Sequence, residues 1–314
     1  MSKNFVKQIR TIANQIPIPP IIDKNDYRNS IFIAGSGRSG TTWLQEIINY
    51  QNEYRILFEP FYPEKVDIIS DWQPFQYLNA SVDSQEYNDP AKAVLSGNIR
   101  NNWVDKYNRR LFSNKRIIKD IRANLILFWM KQKFPELPIV LIMRHPCAVA
   151  NSKVQANWDD NLSHYLSQEK LMEDFLNPLK SQIKTFESSF DKHICSWCIE
   201  NLIPLKQFQE NEIYITFYEY LCVKPEEEIK KIFTYLRKTY SPKVLKHIKI
   251  PSLETSKRSA IISGTDLVSS WRKNINDKHK ARSLEILSFF GLDKIYADGD
   301  LPIVESSFIL EIFK

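Results

Sequence analysis

The chain has 314 residues, 43% hydrophobic and 25% charged, with a net charge of +6 and four cysteines. This length and apolar content build a full-sized core, and four scattered cysteines exclude a disulfide scaffold and suit a reducing compartment. The modest positive charge forms no basic tail, so it fits an anionic ligand without indicating nucleic acid, and no apolar run approaches the ~20 residues of a membrane span.

Residues 1–29 read as a helical extension, with Phe5, Ile9, Ile12 and Ile16 on one helical face. Its first twenty residues, MSKNFVKQIRTIANQIPIPP, lack an uninterrupted apolar stretch, so no secretory leader is expected. A soluble cytoplasmic protein is the resulting expectation. Residues 30–295 form the expected main domain, and 296–314 a tail.

Five short apolar runs read as buried strands: Ile31–Ala34, Arg55–Phe58, Arg116–Lys119, Ile139–Met143 and Ile213–Phe217. Helical patterns lie between them, at Thr42–Tyr50, Leu125–Lys133, Ala148–Val154, Phe186–Gln209 and Pro225–Thr239. Alternation of this kind predicts an α/β fold, a parallel sheet of about five strands with helices on both faces. Ligands of such sheets bind at the carboxyl ends of the strands. Residues 60–114 and 155–185 fit no strand and read as insertions covering the site.

The first strand runs into GSGRSGTT, Gly35 to Thr42. Three of the seven glycines of the chain fall here, between a strand and a helix. This arrangement aims backbone N–H groups and a helix N-terminus at an anion, in the manner of a nucleotide P-loop. The triphosphatase loop GxxxxGK[ST] needs a lysine after its last glycine, where this chain has Thr41. The cation is Arg38 instead, and the fourth run ends in Arg144 where a metal-binding aspartate would be expected. The cradle is kept and the magnesium equipment is not. That combination predicts a nucleotide with a phosphate to be gripped but no β,γ-anhydride to be split.

A second anion site is expected at MRHPCAVANSK, where Arg144 ends a strand and Ser152 follows in a helix. The CxxC of Cys195 and Cys198 has no second pair and reads as two core residues of a helix. His145, His164, His193, His247 and His279 show no metal-ligand spacing, so no metal is expected.

Taken together, GSGRSGTTWLQEI, LIMRHPCAVANSK, YITFYEYL and SGTDLVSSWRKNI resemble the sulfotransferase family that uses 3′-phosphoadenosine 5′-phosphosulfate (PAPS). The resemblance covers roughly residues 30–290. It implies that Gly37, Arg38, Ser39, Gly40, Thr41 and Thr42 hold the 5′ end of the nucleotide. Trp43 would stack on adenine, and Arg144 and Ser152 would bind the 3′-phosphate. Lys257, Arg258, Trp271 and Arg272 are candidates for closing over the nucleotide, although the chain departs there from the Arg-Lys-Gly pattern of cytosolic members.

Sulfuryl transfer requires a base, flanking cations and in-line attack. Lys119 ends the third run and corresponds to a catalytic lysine of the family, with Arg38 as a second cation. Asp120 and Arg122 belong to the shell around Lys119. Glu59, in ILFEPFYP, is the candidate base, expected between Phe58 and Phe61 with its pKa pushed up by burial. The FEP sequence is similar to the carbohydrate-type branch of the family rather than the branch acting on small phenols. The expected acceptor is a hydroxyl, less readily an amine, of a carbohydrate or other hydroxylated metabolite. Trp72, Phe75, Tyr77, Tyr87, Trp103 and Tyr107 serve either to stack on it or as the private core of the first insertion. Two other readings stay open: a P-loop kinase or other triphosphate-dependent enzyme, and a non-catalytic nucleotide-binding module.

Overall fold

A computed structural model describes residues 21–254 and 266–314. The amphipathic N-terminal face, Lys257 and Arg258 lie outside the described residues.

The strands are β1 (Ile22–Asp23), β2 (Ser30–Ala34), β3 (Arg55–Phe58), β4 (Phe112–Ser113), β5 (Arg116–Asp120), β6 (Ile139–Met143) and β7 (Tyr214–Phe217). Five of them form one parallel sheet in the order β3-β5-β2-β6-β7, and β1 pairs with β4 in a separate two-residue ladder. The main helices are α1 (Thr41–Ile48), α2 (Gln85–Leu95), α3 (Leu127–Lys133), α4 (Pro146–Gln155), α5 (Ser189–Gln207), α6 (Tyr218–Val223), α7 (Pro225–Tyr235) and α8 (Asp277–Phe289). The pattern expected over Pro225–Thr239 stops early, where Arg237 turns into the left-handed region at φ +52°.

Alternation along the strands divides the core in two. Ile31, Ile33, Ile117, Val140 and Ile142 pack with Trp43 and Leu44 of α1 and Ile229 and Phe233 of α7. Phe32, Ala34, Ile118, Leu141 and Met143 pack on the other face with Trp129 of α3 and Trp197, Cys195 and Cys198 of α5. The two cysteines are thus buried core residues, as their helical spacing implied. Each large apolar side chain so enclosed contributes about 2 kcal/mol.

Connectivity places the site. From β2 the chain passes through α1 on one face to the edge strand β3. From β5 it crosses β2 on the opposite face through α3 to reach β6. The sequence order therefore reverses at the carboxyl end of β2, which opens a crevice there. Aligned register brings Ala34 beside Asp120, and Lys119 beside Phe58, at that same end.

The regions expected as insertions carry more structure than expected. The first contains the 11-residue α2, whose Ala91, Val94 and Leu95 join the core, together with β4. Trp72 and Tyr77 are also buried there, so they serve the core of the insertion. Residues 296–314, expected as a tail, pack onto the domain: Tyr296, Ile309 and Leu310 are buried in the larger core cluster. Among the described residues, no helix is long and apolar enough to cross a membrane.

Candidate active site

The loop after β2 is held by close approach. A Cβ on Gly35 would lie 2.5 Å from the Ile142 carbonyl, so only glycine lets the loop leave β2 beside β6. Gly40 sits at φ +96°, and a Cβ there would be 2.8 Å from the Tyr218 ring. It precedes α1 without any side-chain cap, leaving the first N–H groups of the helix to a ligand. Between the glycines, Arg38 is itself left-handed at φ +76°.

Arg38 Nε donates to Ser152 Oγ at 2.9 Å, and Arg144 Nη1 donates to the Arg38 carbonyl at 3.2 Å. The Arg144 guanidinium lies 4.1 Å over the Tyr218 ring. Burial, and then the neighbouring Arg144, lower the pKa of Arg38. Among the described residues no carboxylate is hydrogen-bonded to either of these two neighbouring cations, a state that an incoming anion relieves.

A second cluster stands at the ends of β3 and β5. Glu59 Oε1 accepts from Lys119 Nζ at 2.6 Å, and Oε2 accepts from Arg122 Nη1 at 2.6 Å. Glu59 is buried, as expected, but cations rather than apolar rings alone face its carboxylate. Its backbone is left-handed, at φ +44°. Such a conformation costs about 1–3 kcal/mol and persists where surroundings over-determine it. Here Glu59 N–H donates to the Lys119 carbonyl, and Trp103 Nε1 donates to the Glu59 carbonyl. Lys119 is fully buried, with Nζ 3.8 Å over the Phe58 ring, and burial pulls its pKa down against the pull of Glu59. Asp120 receives the N–H groups of Phe61 and Arg122, each at 2.7 Å, tying the two strand ends together. Burial raises its pKa to about 6.

These groups converge on a cavity of about 250 Å³, lined by Arg38, Gly40, Thr41, Thr42, Trp43, Glu59, Lys119, Arg122 and Arg144. The glycine loop at the α1 N-terminus, several cations and a buried carboxylate share one space. A family model described as "Sulfotransferase domain" matches residues 28–283.

The chain belongs to the sulfotransferase domain family.

Several solved structures are similar to this chain at low identity. The sulfotransferase domain from the curacin biosynthetic pathway is 15% identical, with 87% of this chain and 98% of that one covered and a TM-score of 0.43. A mouse sulfotransferase complexed with PAP is 17% identical, with 84% of each chain covered and a TM-score of 0.44. Retinol dehydratase in complex with androsterone and inactive cofactor PAP is 16% identical, with 88% and 82% covered and a TM-score of 0.37. No curated protein matches the chain in sequence.

Not every residue singled out from the sulfotransferase sequence reaches the cavity. Gly37 borders a neighbouring space, and Ser39 is buried within the turn, its N–H donating to the Ser36 carbonyl. Ser152 is present through Arg38, although the two were assigned to opposite ends of the nucleotide. Trp43 lines the cavity but is only 5% exposed, with Nε1 donating to the Ile248 carbonyl and its ring tilted against Tyr218. Trp271 and Arg272 stand elsewhere: Trp271 is buried and stacks on His145 at 4.3 Å, while Arg272 pairs with Asp300 at 2.6 Å.

Sequence reasoning passed over Lys106, Trp158 and Tyr218, which line the cavity. Lys106 Nζ lies 3.7 Å over Phe58 and 4.4 Å over Trp103, and pairs with Glu254 at 2.9 Å. No motif marks a lysine inside an insertion. Its neighbours Trp103 and Tyr107 were singled out as aromatic residues of the insertion, but nothing local tied a lysine to them.

Proposed function

We propose that this sulfotransferase moves the sulfuryl group of PAPS to a hydroxyl of a carbohydrate or another hydroxylated metabolite. The observation that carries the reading is the junction of Arg38, Arg144, Lys119 and Arg122 with the buried Glu59 in one cavity below the α1 N-terminus. In this reading the cradle from Arg38 to Thr42 grips the 5′ end, and Arg144 with Ser152 takes the 3′-phosphate. Arg38 then exchanges a neutral hydroxyl partner for an anionic one. Trp43 and Tyr218 offer rings near the α1 N-terminus for the base. The acceptor oxygen forms a bond to sulfur while the sulfur–oxygen bond to the 5′-phosphate breaks, its electron pair leaving with 3′,5′-adenosine bisphosphate. The acceptor proton passes to Glu59, and Lys119 and Arg38 balance the charge shifting to the leaving phosphate. Residues 30–295 carry this chemistry. Four free cysteines, three of them buried, suit a cytoplasmic setting.

A magnesium-dependent triphosphate site fits less well. Asp120, the strand-end aspartate, spends its carboxylate on the backbone N–H groups of Phe61 and Arg122. Calorimetric titration with 3′,5′-adenosine bisphosphate, beside ATP with magnesium, tests the reading. Tight metal-independent binding of the bisphosphate with weak ATP is expected. Preference for magnesium–ATP would overturn it.

A further inference from the structure

Beside the cationic cavity lies a larger one, of about 760 Å³. Ile121, Arg122 and Trp158 line both and form their common wall. The charges of the two are opposite. Arg38, Lys106, Lys119, Arg122 and Arg144 line the first against Glu59 and Glu254. Glu64, Asp159, Asp160 and Glu200 line the second against Arg122 and Lys153. Arg122 is already committed to Glu59 at 2.6 Å, and Lys153 Nζ stands 3.7 Å from Glu200 Oε1.

Glu200 is the informative member. It is 1% exposed, and Oε1 accepts from Tyr165 OH at 2.7 Å. Oε2 is buried and has no hydrogen-bond partner among the described residues. A buried oxygen left so is costly, and a donor brought by a ligand would complete it. Rings of Tyr62, Phe75 and Trp158 line the same space. Phe75 is held there in the left-handed region, at φ +56°. Aromatic faces and carboxylates together recognise a cation.

We infer that this second cavity receives the acceptor, and that the acceptor is a hydroxylated amine. The inference rests on the sulfuryl-transfer reading above. The ammonium lies among the carboxylates and rings, and the hydroxyl extends past Arg122, which borders both cavities, toward Glu59 and Lys119 in the first. Transfer forms the bond between hydroxyl oxygen and sulfur, breaks the bond from sulfur to the 5′-phosphate oxygen, and leaves the hydroxyl proton on Glu59. Acceptors bearing a carboxylate are repelled by the same lining.

The test uses glucosamine, glucose and glucuronate as probes matched in shape and differing in charge. Their binding to the full chain is followed by ligand-observed NMR, with and without saturating 3′,5′-adenosine bisphosphate. Glucosamine should bind about tenfold more tightly than glucose, the worth of one charge-assisted contact, with glucuronate weakest. Glu200→Gln and Asp159→Asn should each flatten that order. If Glu200→Gln fails to fold, Asp159→Asn, on the exposed rim, decides. Equal binding of the three probes, binding of none, or an order unchanged in the folded variants overturns the inference. Failure of the bisphosphate to bind would instead strike the donor reading, while the probe order in the free chain still reports the charge preference of this cavity.

Discussion

Glu59 and Arg38 share an unusual property: both hold a left-handed backbone, at φ +44° and +76°, and both line the same cavity. Neither residue type favours that conformation. Backbone tethers from the neighbouring strand and from Trp103 hold Glu59 there, aiming its carboxylate between Lys119 and Arg122. Glu59→Gln should therefore remove the proton acceptor and lower kcat by roughly 10²–10⁴, while calorimetric affinity for the bisphosphate stays nearly unchanged. Retained turnover would move the base elsewhere. At the other end, Arg144→Ala should weaken the bisphosphate by about 2 kcal/mol through loss of a charge-assisted pair. Adenosine 5′-phosphosulfate, which lacks the 3′-phosphate, should be nearly unaffected, and equal losses for the two nucleotides would refute the assignment of Arg144.

Strand β5 shows how an element can be buried and charged together. All five of its residues are buried, including Arg116, Lys119 and Asp120. Lys119 lines the cationic cavity, and Asp120 ties the strand ends beside it. Arg116, at the opposite end, belongs to a structural network: Asp23 of β1 accepts from Arg116 at 2.7 Å and from Arg55 of β3 at 3.2 Å, with its own side chain 3% exposed. The short β1 is thus a clamp across the ends of two strands. Asp23→Ala should leave buried guanidinium charge uncompensated and destabilise the fold by about 3–5 kcal/mol, read by urea denaturation. Pairing it with Arg116→Met should recover part of that loss. A purely additive double variant would show that the ion pair contributes no coupling.

At the scale of the whole molecule, the C-terminal segment closes on the site end through His145. Its ring stacks on Trp271, Nε2 donates to the Gly299 carbonyl at 3.2 Å, and Nδ1 accepts the Cys147 N–H that begins α4. Both nitrogens are used by a neutral ring, and burial lowers its pKa to about 3. Unfolded chain near the ordinary value of 6.5 binds the proton that the folded chain refuses, so between pH 6.5 and 3 the unfolded state holds more protons. The stability contributed by neutral His145 is complete above pH 6.5 and is lost as pH falls toward 3. The expected slope is about 1.4 kcal/mol per pH unit. His145→Gln should remove that part of the acid slope in denaturation measured across the window; an unchanged slope would assign it to other groups.

Much of the fold was legible in sequence for a local reason. Strand and helix follow from the spacing of apolar residues, and the five sheet strands appear within a residue or two of their expected ends. The geometry of the loop after β2 was equally legible, because Gly35, Gly40 and Arg38 act through the backbone within six residues of one another. Glu59, Lys119 and Arg144 could be picked out as polar residues ending apolar runs. Their partners could not. That Arg122 takes the second oxygen of Glu59, that Arg38 meets Ser152, and that Trp271 turns to His145 depend on strand order and loop packing across 63, 114 and 126 positions. Residues 60–114 and 155–185 carry no such local rule, because their side chains answer to neighbours far away in the chain. Tertiary structure alone decided that Lys106 enters the cationic cavity and that Glu64, Asp159, Asp160 and Glu200 gather in the cavity next to it. Electrostatic character belongs to a space, and that space exists only once distant segments have closed around it.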